Sequence, residues 1–274
     1  MKRIYLVAVI GLLLGAGGAS GAEKKRLLLI GQSPDGHPPG THEYMAGLKI
    51  LQHCLQPIDG LTTELVKADE PWSDGPEKLK QVDGVVIFVS EGAKWASADP
   101  RRLQALAGLA SRGGGFVGLH WGIGCKDAEP IPAFLNLLGG CHGGPDRKYQ
   151  VLQEAKLEVA REHPIARGLR DFSTREELYY QLKFVKPNAG TPAKETLSPI
   201  LQAEIDGAKH TVSWAWQRPD GGRSFGFSGL HFHDNWRKPE YRRLVTQAVL
   251  WSLGLSLPEG GTNVDVPDEV LQLK

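Results

Sequence analysis

Several absences narrow the reading of this chain before any motif does. Cysteine is scarce: Cys54, Cys125 and Cys141 are the only three in 274 residues. That excludes a disulfide scaffold, in which a short chain is stapled by several bridges. At most one pair can form within the chain, one thiol then stays unpaired, and neither Cys-x-x-Cys nor a cysteine-based zinc spacing occurs. A surplus of basic charge is missing too. With 32 basic against 31 acidic residues the formal charge is +1, which argues against a nucleic-acid partner, because such proteins gather cations on one face. Beyond the first residues there is no long apolar run, so no membrane contact is expected of the mature chain. There is no P-loop, no Gly-x-Gly-x-x-Gly after the first strand and no Gly-x-Ser-x-Gly. Hence neither a nucleotide cofactor nor a serine nucleophile is expected.

What is present begins with an export signal over residues 1–22. Lys2 and Arg3 precede the apolar stretch Ile4–Leu14, and small residues follow, with Ser20 and Ala22 placed for cleavage after Ala22. The stretch is shorter than the roughly 20 apolar residues that a spanning helix needs. The protein is therefore expected to be exported, periplasmic or secreted. The remainder reads as one α/β domain over residues 23–257 and a loosely held tail over 258–274, with no repeat, low-complexity block or linker.

Along the domain, strand and helix patterns alternate as an open, mostly parallel sheet requires. Arg26–Ile30 is an apolar strand that runs into a Gly/Pro-rich loop, and Thr41 is placed to cap a helix reaching Gln56. Strands follow at Thr62–Val66 and Val85–Val89. Asp99 and Pro100 start a helix that Gly113–Gly115 stop. Phe116–Leu119 returns to the sheet, and a helix covers Ile131–Leu138. The second half is strand-rich, near Gln150–Val159, Leu178–Phe184, Ile200–Glu204, His210–Trp216 and Arg223–Ser228, and is expected to include antiparallel pairs. An amphipathic helix, Pro239–Leu253, closes the domain.

Two histidine motifs carry the chemistry. In Gly118-Leu119-His120-Trp121-Gly122 an apolar strand ends in a glycine-flanked turn before helix-like sequence. Such a turn resembles a nucleophile elbow, which projects one side chain from the carboxyl edge of a sheet, the edge at which open α/β sheets bind ligands. The projecting residue is His120, whose imidazole suits metal ligation or proton transfer. The second motif is His231-Phe232-His233-Asp234, directly after a strand. If the extended conformation continues, His231 and His233 share one face, a common start to a transition-metal site, with Asp234 as ligand or orienting group. Weaker candidates are His142 in a flexible Gly-Gly-Cys-His-Gly-Gly loop, and His42 with Glu43 beyond the first strand. In Arg175-Glu176-Glu177-Leu178-Tyr179-Tyr180, carboxylates and aromatics together suit polyol binding. His37 and His53 read as surface residues and His163 as structural.

With these residues laid out, the chain resembles the ThuA-like (trehalose-utilisation) family, over about Arg26 to Leu253. The resemblance rests on Thr41-His42-Glu43, Gly-Gly-Gly-Phe-Val-Gly-Leu-His at 113–120, Gly-Gly-Cys-His at 139–142, His163-Pro164-Ile165, Glu176-Glu177-Leu178-Tyr179 and His233-Asp234. It implies an α/β, flavodoxin-like, open and mostly parallel sheet with helices on both faces, related to class I glutamine amidotransferases. Those enzymes carry a cysteine at the elbow and this chain carries His120, so amidotransferase activity is not implied. The resemblance further implies an enzyme acting on oxidised (3-keto) sugars or disaccharides, by glycosidic cleavage or isomerisation. On that reading His120, His142 and His231 or His233 hold a divalent transition metal, zinc or similar. Glu177, Asp234 or His42 is the acid or base, and the partner is a small-molecule sugar. The rival reading is a non-catalytic sugar-binding or scaffold protein. An enzyme should bring the histidines within ligand distance of one another, and a binding protein should leave them dispersed.

Overall fold

The apolar runs of the first half form strands covered on both sides. In the computed structural model, which describes residues 24–186 and 197–273, the order begins β1 (Lys25–Gly31), α1 (Tyr44–Leu55), β2 (Leu61–Lys67), α2 (Gly75–Lys80), β3 (Gly84–Phe88). It continues α3 (Gly92–Ala98), α4 (Pro100–Ser111), β4 (Gly115–Leu119), β5 (Gly124–Cys125), α5 (Ile131–Leu138), β6 (Gly140–Gly143). Then come β7 (Lys148–Val159), β8 (Phe172–Tyr180), β9 (Lys183–Phe184), β10 (Leu197–Ile205), β11 (Ala208–Gln217), β12 (Arg223–Phe227) and α6 (Pro239–Ser252). The expected export signal at 1–22 lies outside the described residues.

Nine strands form one sheet in the order β2-β1-β3-β4-β12-β11-β10-β7-β8. The first five are mutually parallel, the flavodoxin-like arrangement with β12 in the fifth place. From β12 outward every pairing is antiparallel. Because side chains alternate along a strand, Leu27 and Leu29 of β1 enter one apolar cluster with α1 and α6. Leu28 and Ile30 enter another, with α2, α3, α4 and α5. Helices thus cover both faces, as continuous apolar strands demand.

The hairpin β7–β8 departs from this layering. β7 pairs with β10 only through Leu157, Glu158 and Val159, whereas its pairing with β8 runs out to Lys148 and Tyr180. An irregularity between Leu152 and Ala155 marks the change, and a bulge bends a strand locally. The distal half of the hairpin therefore carries no strand pairing to β10 and can fold over the carboxyl edge of the sheet.

Two expectations are corrected, and two helices are added. Thr41 does not cap α1: its hydroxyl donates to the Pro38 carbonyl at 2.6 Å, and the helix begins only at Tyr44, after His42 with φ 53°. The added helices, α2 and α3, are short and have no capping side-chain hydrogen bond, so no local sequence signal marks them. The tail beyond residue 258 is packed rather than loose. Thr262, Val264 and Leu271 are buried, Arg242 Nε donates to the Val264 carbonyl at 2.8 Å, and the Thr262 amide donates to Gln247 Oε1 at 2.8 Å. By contrast α4 starts as its sequence requires, with Asp99 accepting from the Arg101 amide at 2.8 Å. All three cysteines are free and buried. Among the described residues no helix is long and apolar enough to cross a membrane.

Candidate functional site

Four parallel strands end at one edge, and each hands its chain to a strained turn. Outside glycine, left-handed backbone is uncommon and costs energy, so it persists where the surroundings enforce it. At this edge His42 follows β1 (φ 53°), Glu91 follows β3 (φ 48°), His120 follows β4 (φ 47°) and Leu230 follows β12 (φ 80°). The turn at His120 needs its flanking glycines for close approach. A Cβ on Gly118 would lie 2.7 Å from Leu138 Cδ2, and one on Gly122 would collide with the Ile87 carbonyl. Two loops far apart in sequence are then tied together. The His42 amide donates to the His231 carbonyl at 3.1 Å and the His233 amide to the Gly40 carbonyl at 2.8 Å.

The result is a convergence of three imidazoles. His42 Nε2 lies 3.0 Å from His120 Nε2 and 3.1 Å from His231 Nδ1, and His120 Nε2 lies 3.2 Å from His231 Nδ1. Their other contacts settle two tautomers. The Ser228 carbonyl, which can only accept, takes His120 Nδ1–H at 2.8 Å. Asp35 Oδ2 takes His42 Nδ1–H at 2.9 Å and also the Tyr44 hydroxyl at 2.7 Å. Burial alone would raise the Asp35 carboxyl, but hydrogen bonds from His42, Tyr44 and His37 outweigh it and hold the group well below the usual carboxylate range. In the neutral rings, then, the Nε2 atoms of His42 and His120 both present lone pairs, and no proton lies between them. Burial, and then the neighbouring rings, hold His120 well below the ordinary histidine value, and burial first pushes His231 down to about 3.

Lone pairs on a triangle of nitrogens fit a cation. The separations of 3.0–3.2 Å approach the roughly 3.3 Å between ligand nitrogens held about 2.05 Å from a tetrahedral zinc. A carboxylate or carbonyl behind each ligating ring is the usual orienting device of metal-bound histidine. Glu177 Oε1 stands beside the triangle, 3.5 Å from His231 Nδ1 and 3.9 Å from His120 Nε2, so His42, His120, His231 and Glu177 together could hold a divalent ion. Burial pushes the Glu177 carboxyl up to about 6.

Glu177 and its neighbours come from the other end of the sheet. β8 lies five strands from β4, which delivers His120, a flat-sheet distance of about 24 Å, yet the Tyr179 hydroxyl is 2.9 Å from His120 Nε2. The distal half of the hairpin closes that gap. Glu176 anchors it: fully buried, its carboxylate accepts from the amides of Glu177, Leu230 and His231, from Asn235 Nδ2 and from the Tyr241 hydroxyl at 2.8–3.1 Å. Burial, only partly offset by those donors, pushes Glu176 up to about 7. Between hairpin and sheet edge lies a cleft of about 230 Å³, lined by Asp35, His37, His42, His142, Glu177 and Tyr179, with Lys126, Arg147 and Tyr149 among the others.

The structure thus unites His42, His120, His231 and Glu177, and sets other candidates apart. His142 lines the cleft, but Tyr179 is interposed. Its ring stacks on His120 at 4.6 Å and on His142 at 4.0 Å, so the two histidines cannot share an ion. His233 is directed the other way, with Nε2 3.3 Å from the Leu271 carbonyl. The same-face expectation fails because β12 stops at Phe227, Leu230 turns left-handed and His233 begins a helical turn. Asp234 has 89% of its side chain exposed and faces Arg237 at 3.6 Å, so it stands apart from the cluster. His42, a candidate acid or base, has its lone pair directed at the triangle instead. His37 is a surface residue, as its sequence suggests, and it also stacks on His42 at 3.7 Å and bonds Asp35 at 2.6 Å. Only the loop's mixture of Asp35, His37 and His42 in one Gly/Pro-rich stretch signalled this arrangement.

Comparison with known proteins places these features in context. The family model described as ThuA, trehalose utilisation, matches residues 29–252. A solved ThuA-like protein from Bacteroides uniformis is 16% identical, with a TM-score of 0.59, and the match covers 87% of this chain and 95% of that one. The glutaminase domain of Trypanosoma brucei CTPS with bound acivicin is 11% identical, with a TM-score of 0.45, covering 88% and 99%. No curated protein matches the chain.

Proposed function

The chain belongs to the ThuA trehalose-utilisation family and has a carbohydrate-related role, and from that premise we propose that it is an enzyme acting on 3-keto glycosides. The observation that carries the reading is the convergence of three imidazole nitrogens beside one perturbed carboxylate, two of whose four members, His42 and Glu177, line the cleft. Dispersed, separately bonded histidines would instead favour a sugar-binding or scaffold protein.

His42, His120 and His231 are the residues that would hold a divalent ion, zinc or similar. Such an ion acts as a Lewis acid on a carbonyl oxygen, favouring negative charge there. Asp35 and the Ser228 carbonyl keep the two Nε2 lone pairs turned inward. Glu177 is the base. A value pushed up to about 6 leaves it ionised at neutral pH and a stronger proton acceptor than an ordinary carboxylate. It takes the proton from C2, which the neighbouring 3-keto group acidifies. The C2–H electrons form the C1–C2 double bond, the C1–O bond breaks, and the leaving oxygen takes a proton from water. Addition of water at C1 completes a hydrolysis. Returning the C2 proton to the other face of the ring would give isomerisation with the same groups.

The test is metal content by mass spectrometry on protein purified without a histidine tag, beside His120→Ala, followed by turnover of 3-keto-trehalose. Near-stoichiometric metal in the first, its loss in the variant and parallel loss of turnover are expected. Protein that binds no divalent ion when supplied with one, or a variant that keeps full turnover, overturns the reading.

A further inference from the structure

The outer half of β7 has an open edge. One side of Lys148–Leu152 is paired with β8 in regular antiparallel register. Among the described residues no strand pairs with its other side, because β10 joins β7 only from Leu157 onward. Such an edge offers unpaired amides and carbonyls to another chain, and proteins usually blunt it with charge, proline or a cover. Here it carries apolar side chains instead. Among the described residues the exposed large hydrophobics are Tyr149, Val151 and Leu273, and the first two, 58% and 40% exposed, stand two residues apart on this strand. Their backbone groups point to the open side. The Glu177 amide, opposite Val151, is taken by Glu176 Oε1 at 2.9 Å, which marks Val151 and Glu177 as a pair without mutual backbone bonds. In an antiparallel ladder the two residues of such a pair direct N–H and C=O away from each other. Val151, and Tyr149 in step with it, therefore present theirs outward.

This edge is complementary to itself. The regular stretch Lys148–Leu152 has Gln150 at its centre. Laid antiparallel on a second copy about a twofold axis at Gln150, Tyr149 stands opposite the Val151 of the other copy, and Val151 opposite its Tyr149. An aromatic against a β-branched side chain is a favourable cross-strand pair, and a twofold interface makes each contact twice. Charge agrees with the direction. The segment opens on Arg147 and Lys148 and closes on Gln153 and Glu154, with Lys148 and Glu154 both exposed, so antiparallel pairing lays each basic end along an acidic one. One sequence read in both directions gives both matches, which is what a second copy supplies. We propose that the outer edge of β7 pairs with the same edge of a second copy, making an antiparallel twofold dimer by strand addition. Tyr149 also lines the cleft and shares a face with Tyr179, the residue opposite it. The Val151 of the second copy therefore continues the wall of that cleft, and each copy extends the site of the other.

The experiment is sedimentation across a concentration series for wild type, Val151→Lys, Lys148→Glu, Glu154→Lys and the double variant Lys148→Glu/Glu154→Lys, with circular dichroism reporting the fold of each. Wild type is expected to be a dimer that dissociates on dilution. Val151→Lys puts a charge in place of an apolar contact at two points and should weaken the dimer at least about tenfold. Each single charge reversal sets like charges together at both ends and should also weaken it about tenfold, and the double reversal should return it to within about twofold of wild type. A wild type that stays monomeric at every concentration overturns the proposal. A dimer unmoved by a folded Val151→Lys variant, or single reversals that the double does not rescue, overturns it equally. Should Val151→Lys fail to fold, the rescue by the double reversal decides.

Discussion

The two halves of the sheet solve different problems. The parallel half, from β2 to β12, is covered on both faces and presents its functional groups only at strand ends, where His42, His120 and the Leu230–His231 turn are locked by buried contacts. The antiparallel half ends in a hairpin paired on one side only, and it presents side chains from the middle of a strand, Glu177 and Tyr179, with Tyr149 beside them. Strand ends fix three ring nitrogens to within a few tenths of an ångström of a regular triangle. A hairpin whose distal half carries no pairing to β10 can bring a carboxylate and a wall to that triangle and can tolerate exposed aromatics. Precision and reach thus come from different parts of one fold.

If that division is right, the largest separation between the halves appears at Glu177. Glu177→Gln should lower turnover of the keto sugar by about 10²–10⁴-fold, the usual contribution of a positioned base, while metal content stays at the wild-type level. Undiminished turnover would remove Glu177 as the base.

The seam between the halves should respond next. A Cβ on Gly226 of β12 would collide with the ring of Trp214 on β11, which is fully buried and donates to the Leu138 carbonyl at 2.9 Å. Gly226→Ala should lower stability in urea by about 1–3 kcal/mol, as overpacking does, and Trp214→Phe in the same chain should recover part of it. An unmoved midpoint would show that the join yields easily.

Asp35 belongs to the parallel half and touches the triangle only through His42. Asp35→Asn should weaken metal affinity about 10–100-fold, measured against a competing chelator, whereas Tyr179→Phe in the hairpin should leave affinity unchanged. Equal effects would erase the distinction between the halves.

The smallest effect is remote from the site. Burial, with a smaller push from Arg223, lowers His163 to about 4 from 6.5. Between those values the unfolded chain binds a proton that the folded chain does not. The associated stability is therefore fully present above pH 6.5 and is lost as pH falls toward 4. His163→Gln should lessen the destabilisation between pH 7 and pH 5 by on the order of 1 kcal/mol, read from urea midpoints. An identical pH slope would remove His163 from the response.

The legibility of the site followed the same division. His120 was readable because its signal is local: an apolar strand, flanking glycines and one side chain that can only project. The Asp99 cap and the helix Ile131–Leu138 were readable for the same reason. Alternation puts His231 and His233 on one face, but only His231 joins the cluster, because alternation along a strand holds only while the strand lasts and the left-handed Leu230 ends it. His42 reads in the sequence as an acid or base, and the direction of its free lone pair is not legible there, since it depends on Asp35 and its neighbour His231 lies 189 residues away. Tyr179 was placed in a sugar site, but nothing in its surroundings announces that it lies between His120 and His142. The packed tail was missed because its Gly/Pro-containing sequence gives no period, and its hold on Arg242 and Gln247 is made by backbone groups of the tail.

By itself the sequence determined the layers and the sheet edge at which function sits, because hydrophobic period and turn chemistry act over a few residues. It also determined which side chains were available there. Only the tertiary structure decided which three of the nine histidines meet, and that a carboxylate at least four strands away meets them. Those outcomes depend on where a bulge bends a hairpin and on which buried acceptor claims each ring proton, and no local pattern records either.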